Sequence, residues 1–244
     1  MSRIIKAGRI LIFLFLLSVL ALCCARIVSD YKKTEGEEQT IEKIRKEKSS
    51  TENKKSYKNM VGWVEIPDTD FSYPVMQKKG DNEYYLHRDV KGNYSFCGTP
   101  YLDCRCSLNS RNLILYGHNI NGRRFFGFLQ NYRDYDFYNH HDHVIFDFLS
   151  EKEPFEVVSV IKTDTASVLY RFTDPKTEEE MMDYLDVILG QSMYLTREGE
   201  VLKKEKQKNK IRERQFLTFS TCRTGEGEDA RLLVVASRIL EKES

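Results

Sequence analysis

Eight short β-rich runs, separated by turn signals, follow Met60 with no regular alternation of strand and helix. They fall at 62–66, 73–77, 99–102, 112–116, 144–149, 155–163, 215–220 and 232–239. Helical patterns occupy only the longer connections, at 82–88, 124–131, 136–140 and 178–191. The last carries Met181, Met182, Leu185, Ile188 and Leu189 at helical spacing, with Asp174 or Thr177 as N-cap. The basic run 203–214 reads as a solvated loop or helix end. Such a pattern predicts a mainly β fold, an eight-stranded closed or nearly closed barrel with short helices in the connections. A doubly wound sheet is excluded, because it needs a helix after nearly every strand. One domain over 60–244 accounts for all eight runs.

The part before Met60 has a different texture. Ile10 to Ala25 carries no charge, and Arg3, Lys6 and Arg9 precede it with no acid. A helix of that length rises about 24 Å. Arg9 and Arg26 can snorkel, and Ile27 and Val28 lengthen the span toward a hydrocarbon core of about 30 Å. Positive-inside logic places the N-terminus in the cytoplasm and the rest outside, in a single pass. A cleaved signal peptide is the competing reading, but a good small-x-small cleavage site is missing. Both readings export the domain. Residues 1–29 are therefore read as cytoplasmic tip and transmembrane helix. Residues 30–59, dense in Lys and Glu, are read as a helical stalk or flexible spacer. Ile41 and Ile44 in that stretch would let one helical turn dock on the domain.

The formal net charge of +1 argues against nucleic acid as a partner, since phosphate binding needs a concentrated basic surface. None of the six cysteines forms a CxxC pair, which argues against a zinc ribbon or a thioredoxin-like motif. Cys97, Cys104 and Cys106 cluster, as one disulfide within the group or as small, partly buried side chains. His140, His141, Asp142 and His143 look like metal ligands, but consecutive side chains cannot all point at one ion. No metal or cofactor is expected.

Cys222 ends an apolar run and faces an open polar loop. A thiol at a strand end is both rigidly held and reachable. Arg231 opens the next strand, so a hairpin would return it to Cys222 as a clamp for a thiolate or oxyanion. His118 stands two residues past the strand 112–116 and meets Cys222 if the two strands run side by side in the same direction. A buried structural cysteine with a snorkelling arginine is the plainer alternative. His87, beside Tyr84, Tyr85 and Arg88, reads as structural.

These residues resemble a known family. Leu115-Tyr116-Gly117-His118-Asn119, the run from Phe216 to Cys222, and Arg231-Leu-Leu-Val-Val are similar to the three active-site segments of sortases. The openings Val61-Gly-Trp-Val-Glu-Ile-Pro67, Tyr73-Pro-Val-Met-Gln77 and Asp81-Asn-Glu-Tyr-Tyr-Leu-His87 resemble class B, as does the long helix before the Cys222 strand. The resemblance implies an exported, membrane-anchored cysteine transpeptidase of Gram-positive bacteria. Such an enzyme cleaves a C-terminal sorting signal after Thr through a thioacyl link. An amine of the cell-wall precursor, or a pilin lysine, then resolves that link. By matching position Cys222 is the nucleophile, His118 the acid/base, Arg231 the clamp and Ser220 a substrate or oxyanion contact. An extracellular cysteine hydrolase and a non-catalytic surface binding module remain as alternatives. The Cys97–Cys106 cluster departs from the family pattern.

Overall fold

The computed structural model describes residues 2–48, 57–120, 124–149, 151–208, 211 and 213–240. The chain divides into two compact units, Met1–Ile44 and Arg45–Ser244. The first belongs to one continuous helix, α1 (Ser2–Lys48). Its segment Gly8–Lys46 is long and apolar enough to cross a membrane, and its most apolar window is entirely unburied by protein. The stalk expected at 30–59 is thus helical as far as Lys48, and 49–56 lie outside the described residues.

The second unit is a closed barrel built from all eight expected runs. Its strands are β1 (Met60–Glu65), β2 (Ser72–Met76), β3 (Tyr101–Leu102), β4 (Asn112–Tyr116), β7 (His143–Asp147), β8 (Lys152–Asp164), β9 (Arg214–Cys222) and β10 (Ala230–Ile239). Around the barrel they run β1-β2-β3-β4-β9-β10-β8-β7. Two short strands, β5 (Asn119–Ile120) and β6 (Arg124–Phe125), pair with each other beside it. β9 lies parallel to β4 and antiparallel to β10.

Side chains alternate between the two faces of a strand, and β9 uses both. Phe219 meets the rings of Phe71 and Phe126 on one face. On the other face Phe216, with Leu233 and Val235 of β10, packs under α3 (Glu178–Gly190) and α4 (Arg197–Gln207) through Met181, Tyr184, Leu185, Ile188 and Leu202. With both faces covered, even the polar Gln215, Thr218, Ser220 and Thr221 of β9 are buried. Thr177 caps α3: its hydroxyl accepts from Glu180 N, and the Glu180 carboxylate accepts from Thr177 N. Asp174 instead accepts from Arg111 N.

Three expected elements are corrected. The stretch 82–88 is a chain of turns rather than a helix. Asp81 accepts from Glu83 N, and Asp89 accepts from Lys91 N and Asn93 N. Such local side-chain bonds compete with helical ones. The stretch 124–131 is β6 followed by a 3-10 helix, Phe126–Arg133. Its buried Phe126, Leu129 and Tyr132 recur every third residue, the 3-10 period. The run 203–214 is a helix end as far as Gln207, where α4 closes, but Arg214 is not solvated: it opens β9 with a side chain only 1% exposed. That guanidinium meets the carboxylates of Glu198 and Glu205 (3.4 Å for the latter) and donates to Ser237 Oγ at 3.2 Å.

Candidate active site

Eight of the nine residues of β9 are buried; Cys222, the last, is half-exposed. The cross-strand register places Arg231 directly opposite it. Arg223 N donates to Ala230 O one step on, so Cys222 and Arg231 form the adjoining pair whose backbone groups face away from each other. Side chains approach most closely in such pairs. On the other flank, Tyr116 of β4 pairs with Ser220, and Gly117 N donates to Ser220 O at 3.3 Å. β4 ends at Tyr116, two residues before His118, and Cys222 lies two residues past Ser220. Cys222 and Arg231 thus face each other at the ends of β9 and β10, and His118 follows the end of the neighbouring β4. Phe126 closes in at this point: a Cβ on Gly117 would sit 2.5 Å from its ring, so only glycine fits before His118.

His118 Nε2 donates to the carbonyl of Leu86 at 2.9 Å. A carbonyl can only accept, so this bond puts a hydrogen on Nε2 and leaves Nδ1 as the nitrogen that gains or loses a proton. The His87 ring lies against it, with centroids 5.2 Å apart. Arg231 Nη1 donates to the carbonyls of Glu228 (2.6 Å) and Ala230 (3.2 Å). No carboxylate pairs with Arg231 among the described residues, so its charge is not neutralised.

Ser220 shares the Cys222 face, and its hydroxyl is bonded to Tyr170 Oη at 2.8 Å. Tyr170 stacks on Tyr116, and Tyr116 neighbours Tyr101. Burial pushes all three phenols above their ordinary range. For Tyr101 and Tyr170, Arg231 opposes that rise and Cys222 adds to it. These rings are neutral at physiological pH, an apolar wall with hydroxyl donors. Tyr116 Oη donates to Asp103 at 2.9 Å, and Arg105 donates two hydrogen bonds to the same carboxylate and a third to Tyr170 O. Burial works against the Asp103 charge, but Arg105 and Tyr116 outweigh it and hold the carboxyl below its usual range.

The loop between β9 and β10 is tethered from several sides. Glu226 pairs with Arg133 (3.2 Å) and Arg223 (3.1 Å), and Asp229 O accepts from Thr165 N. Asn119 Nδ2 donates to Cys222 O at 2.7 Å and to Thr224 Oγ1 at 2.9 Å, while Gln130 Nε2 donates to Cys222 O at 3.2 Å. None of Asn119, Gln130, Tyr170, Asp103 and Arg105 was assigned a role from sequence. Only Asn119 carried a signal, through its place beside Gly117-His118.

The remaining motifs lie elsewhere. All six cysteines are free. Cys97 and Cys106 are buried, and burial pushes the Cys106 thiol up to about 11. His140 Nδ1 bonds to Asp136 O, the His141 ring packs on Phe137, and His143 pairs with Asp142. No group of three or more His, Cys, Asp or Glu among the described residues is placed to hold an ion.

A barrel presenting a half-exposed thiol opposite an unneutralised guanidinium, with a histidine just past the end of the neighbouring strand, has the parts for acyl transfer. A family model for the Sortase domain matches residues 64–239. Sortase B of Listeria monocytogenes is 30% identical over 187 residues, covering 76% of this chain and 71% of that protein. Sortase B of Staphylococcus aureus is 28% identical over 186 residues, covering 75% and 71%. The crystal structure of Clostridium perfringens sortase B superposes with a TM-score of 0.67 at 25% identity, covering 77% of this chain and 98% of that one. The chain belongs to the sortase family of cysteine transpeptidases. Within that family its relatives make it a class B sortase.

Proposed function

We propose that Cys222 is the nucleophile, His118 the acid/base and Arg231 the oxyanion clamp of a transpeptidase that joins exported proteins to a surface amine. The observation that supports this reading is the directly opposed pair Cys222–Arg231, with His118 two residues past the end of β4, the strand that runs parallel to β9. Sortases act on proteins bearing sorting signals. Here the Cys222 thiolate attacks the carbonyl of a Thr in such a signal. Arg231 and a backbone N–H receive the oxyanion, a contribution of about 3–4 kcal/mol per donor. His118 gives its Nδ1 proton to the departing amine as the C–N bond breaks, leaving a thioacyl link. It then takes a proton from the incoming amine, whose nitrogen forms the new amide and releases the thiolate. The acceptor is a cell-wall precursor amine or a pilin lysine. Ser220, held by Tyr170, contacts the substrate or the oxyanion from the same face.

The apolar, unburied part of α1 supports a single-pass anchor at the cell membrane, N-terminus inside, catalytic domain outside. On this reading 1–29 is tip and anchor, 30–59 the stalk and 60–244 the catalytic domain. The test uses the full chain in detergent, a library of sorting-signal-like peptides, and mass spectrometry with and without an amine. A Thr-amide product that appears only with the amine is expected. Hydrolysis at the same rate and to the same extent in both cases would make the protein a hydrolase.

A further inference from the structure

The end of β9 poses a problem of backbone bookkeeping. β4 supplies Ser220 O with a donor, Gly117 N. Alternate carbonyls of a strand point the same way, so Cys222 O is the next acceptor on that flank and would take the N–H of residue 119 if β4 continued. It does not continue, because the chain turns away at His118. Two side chains fill the gap instead: Asn119 Nδ2 at 2.7 Å and Gln130 Nε2 at 3.2 Å, the latter from the 3-10 helix. One carbonyl oxygen thus receives two carboxamide donors, at the residue that carries the reactive thiol.

We propose that Asn119 and Gln130 are positioning residues for the transpeptidation step: together they clamp the Cys222 carbonyl and so fix the orientation of the Cys222–Arg223 peptide and the thiol. This rests on the reading of Cys222 as nucleophile. The clamp has two consequences. It lets β4 leave the sheet so that His118 can turn toward Leu86 without leaving the Cys222 carbonyl unpaired. It also keeps that carbonyl from accepting the S–H of its own residue, a bond that would favour the thiol over the thiolate.

Gln130 itself supports a functional role. Its Oε1 is buried and has no partner among the described residues. A buried unpaired acceptor is destabilising, and an apolar side chain of the same shape would be the more stable occupant. The amide is explained by what its NH2 does for Cys222 O. Asn119 adds the link to Thr224 Oγ1, which ties the same carbonyl to the loop leading to Arg231.

The experiment compares the full chain with Gln130→Met, Asn119→Ala and the double variant. Melting temperature, kcat and KM for transpeptidation, and the pH profile of Cys222 alkylation are measured for each. Gln130→Met is expected to melt at or above the wild-type temperature while kcat falls about tenfold, the scale of one lost hydrogen bond. The double variant should fall further, with KM nearly unchanged and the alkylation profile displaced to higher pH. Wild-type kcat and an unmoved profile in the folded double variant would overturn the proposal. So would losses confined to melting temperature or KM. Cys222→Ala is measured alongside. Turnover surviving in Cys222→Ala removes the nucleophile assignment and this inference with it; a dead Cys222→Ala with a fully active double variant removes this inference alone.

Discussion

β9 carries an arginine problem at each end, and the two ends solve it in opposite ways. At its start Arg214 is buried and neutralised by Glu198 and Glu205. At its finish, about 26 Å away along the strand, Arg231 faces Cys222 from β10 and, among the described residues, is held by backbone carbonyls alone. Burial pushes the Glu198 carboxyl up by more than Arg214 pulls it down, so at that end the guanidinium is fully taken up by its own buried carboxylates. A compensated arginine holds strands and helices together but has no charge left for a substrate. An uncompensated one, half-exposed, retains its field for an anion that forms during reaction. The difference between the two ends is the difference between a fastening and a site.

That contrast predicts which variants lose activity and which lose stability. Cys222→Ala should cut turnover by at least about 10⁴-fold with little change in melting temperature, read by peptide assay and calorimetry. Arg214→Ala should cost about 3–5 kcal/mol of stability by leaving two carboxylates without their cation, while kcat per folded molecule stays at the wild-type value. Arg231→Ala should do the reverse. Its kcat should fall about 10²–10³-fold, and Arg231→Lys should not restore it, because a point charge does not reproduce the planar fork. A destabilised but active Arg231→Ala would erase the distinction between the two ends.

Smaller effects sharpen it. Arg105→Ala removes the main cation from Asp103 and should cost about 2–3 kcal/mol near neutral pH. The pH dependence has a definite sign. In the folded protein the Asp103 carboxyl lies below its unfolded value, so it stabilises the fold fully above an unfolded pKa of about 3.9. That stability is lost as pH falls through the folded value. The melting deficit of Arg105→Ala should therefore be full near neutral pH and shrink as the pH falls below about 3.9. Thr177→Ala, which removes a helix cap far from Cys222 in sequence, should cost about 1 kcal/mol and leave kcat alone.

The barrel was legible in the sequence because its strands carry their own signals. β10 is covered on both faces and reads as an apolar run, β9 stands out by Phe216, Leu217 and Phe219, and the helical spacing of α3 matches its buried face. What escaped was set by packing or by local competition. Asp81 and Asp89 side chains compete with the helix expected at 82–88, and a period of three in Phe126, Leu129 and Tyr132 makes a 3-10 helix where an α-helix was expected. Arg214 looked like one more residue of a basic run, and only the fold reveals its buried carboxylates. At the candidate site, the strand-end positions of His118, Cys222 and Arg231 could be read in advance. Asn119 and Gln130 could not, since their bonds to Cys222 O span 103 and 92 residues and depend on where β4 leaves the sheet.

The most direct test of the central claim is the site of the acyl adduct. The full chain is incubated with a sorting-signal peptide without amine, quenched, digested and mapped by mass spectrometry. A peptide-derived acyl group is expected on Cys222 and none on Cys104, a half-buried thiol of the same unit that serves as internal control. An adduct on any other residue, or peptide cleavage that persists in Cys222→Ala, would contradict it.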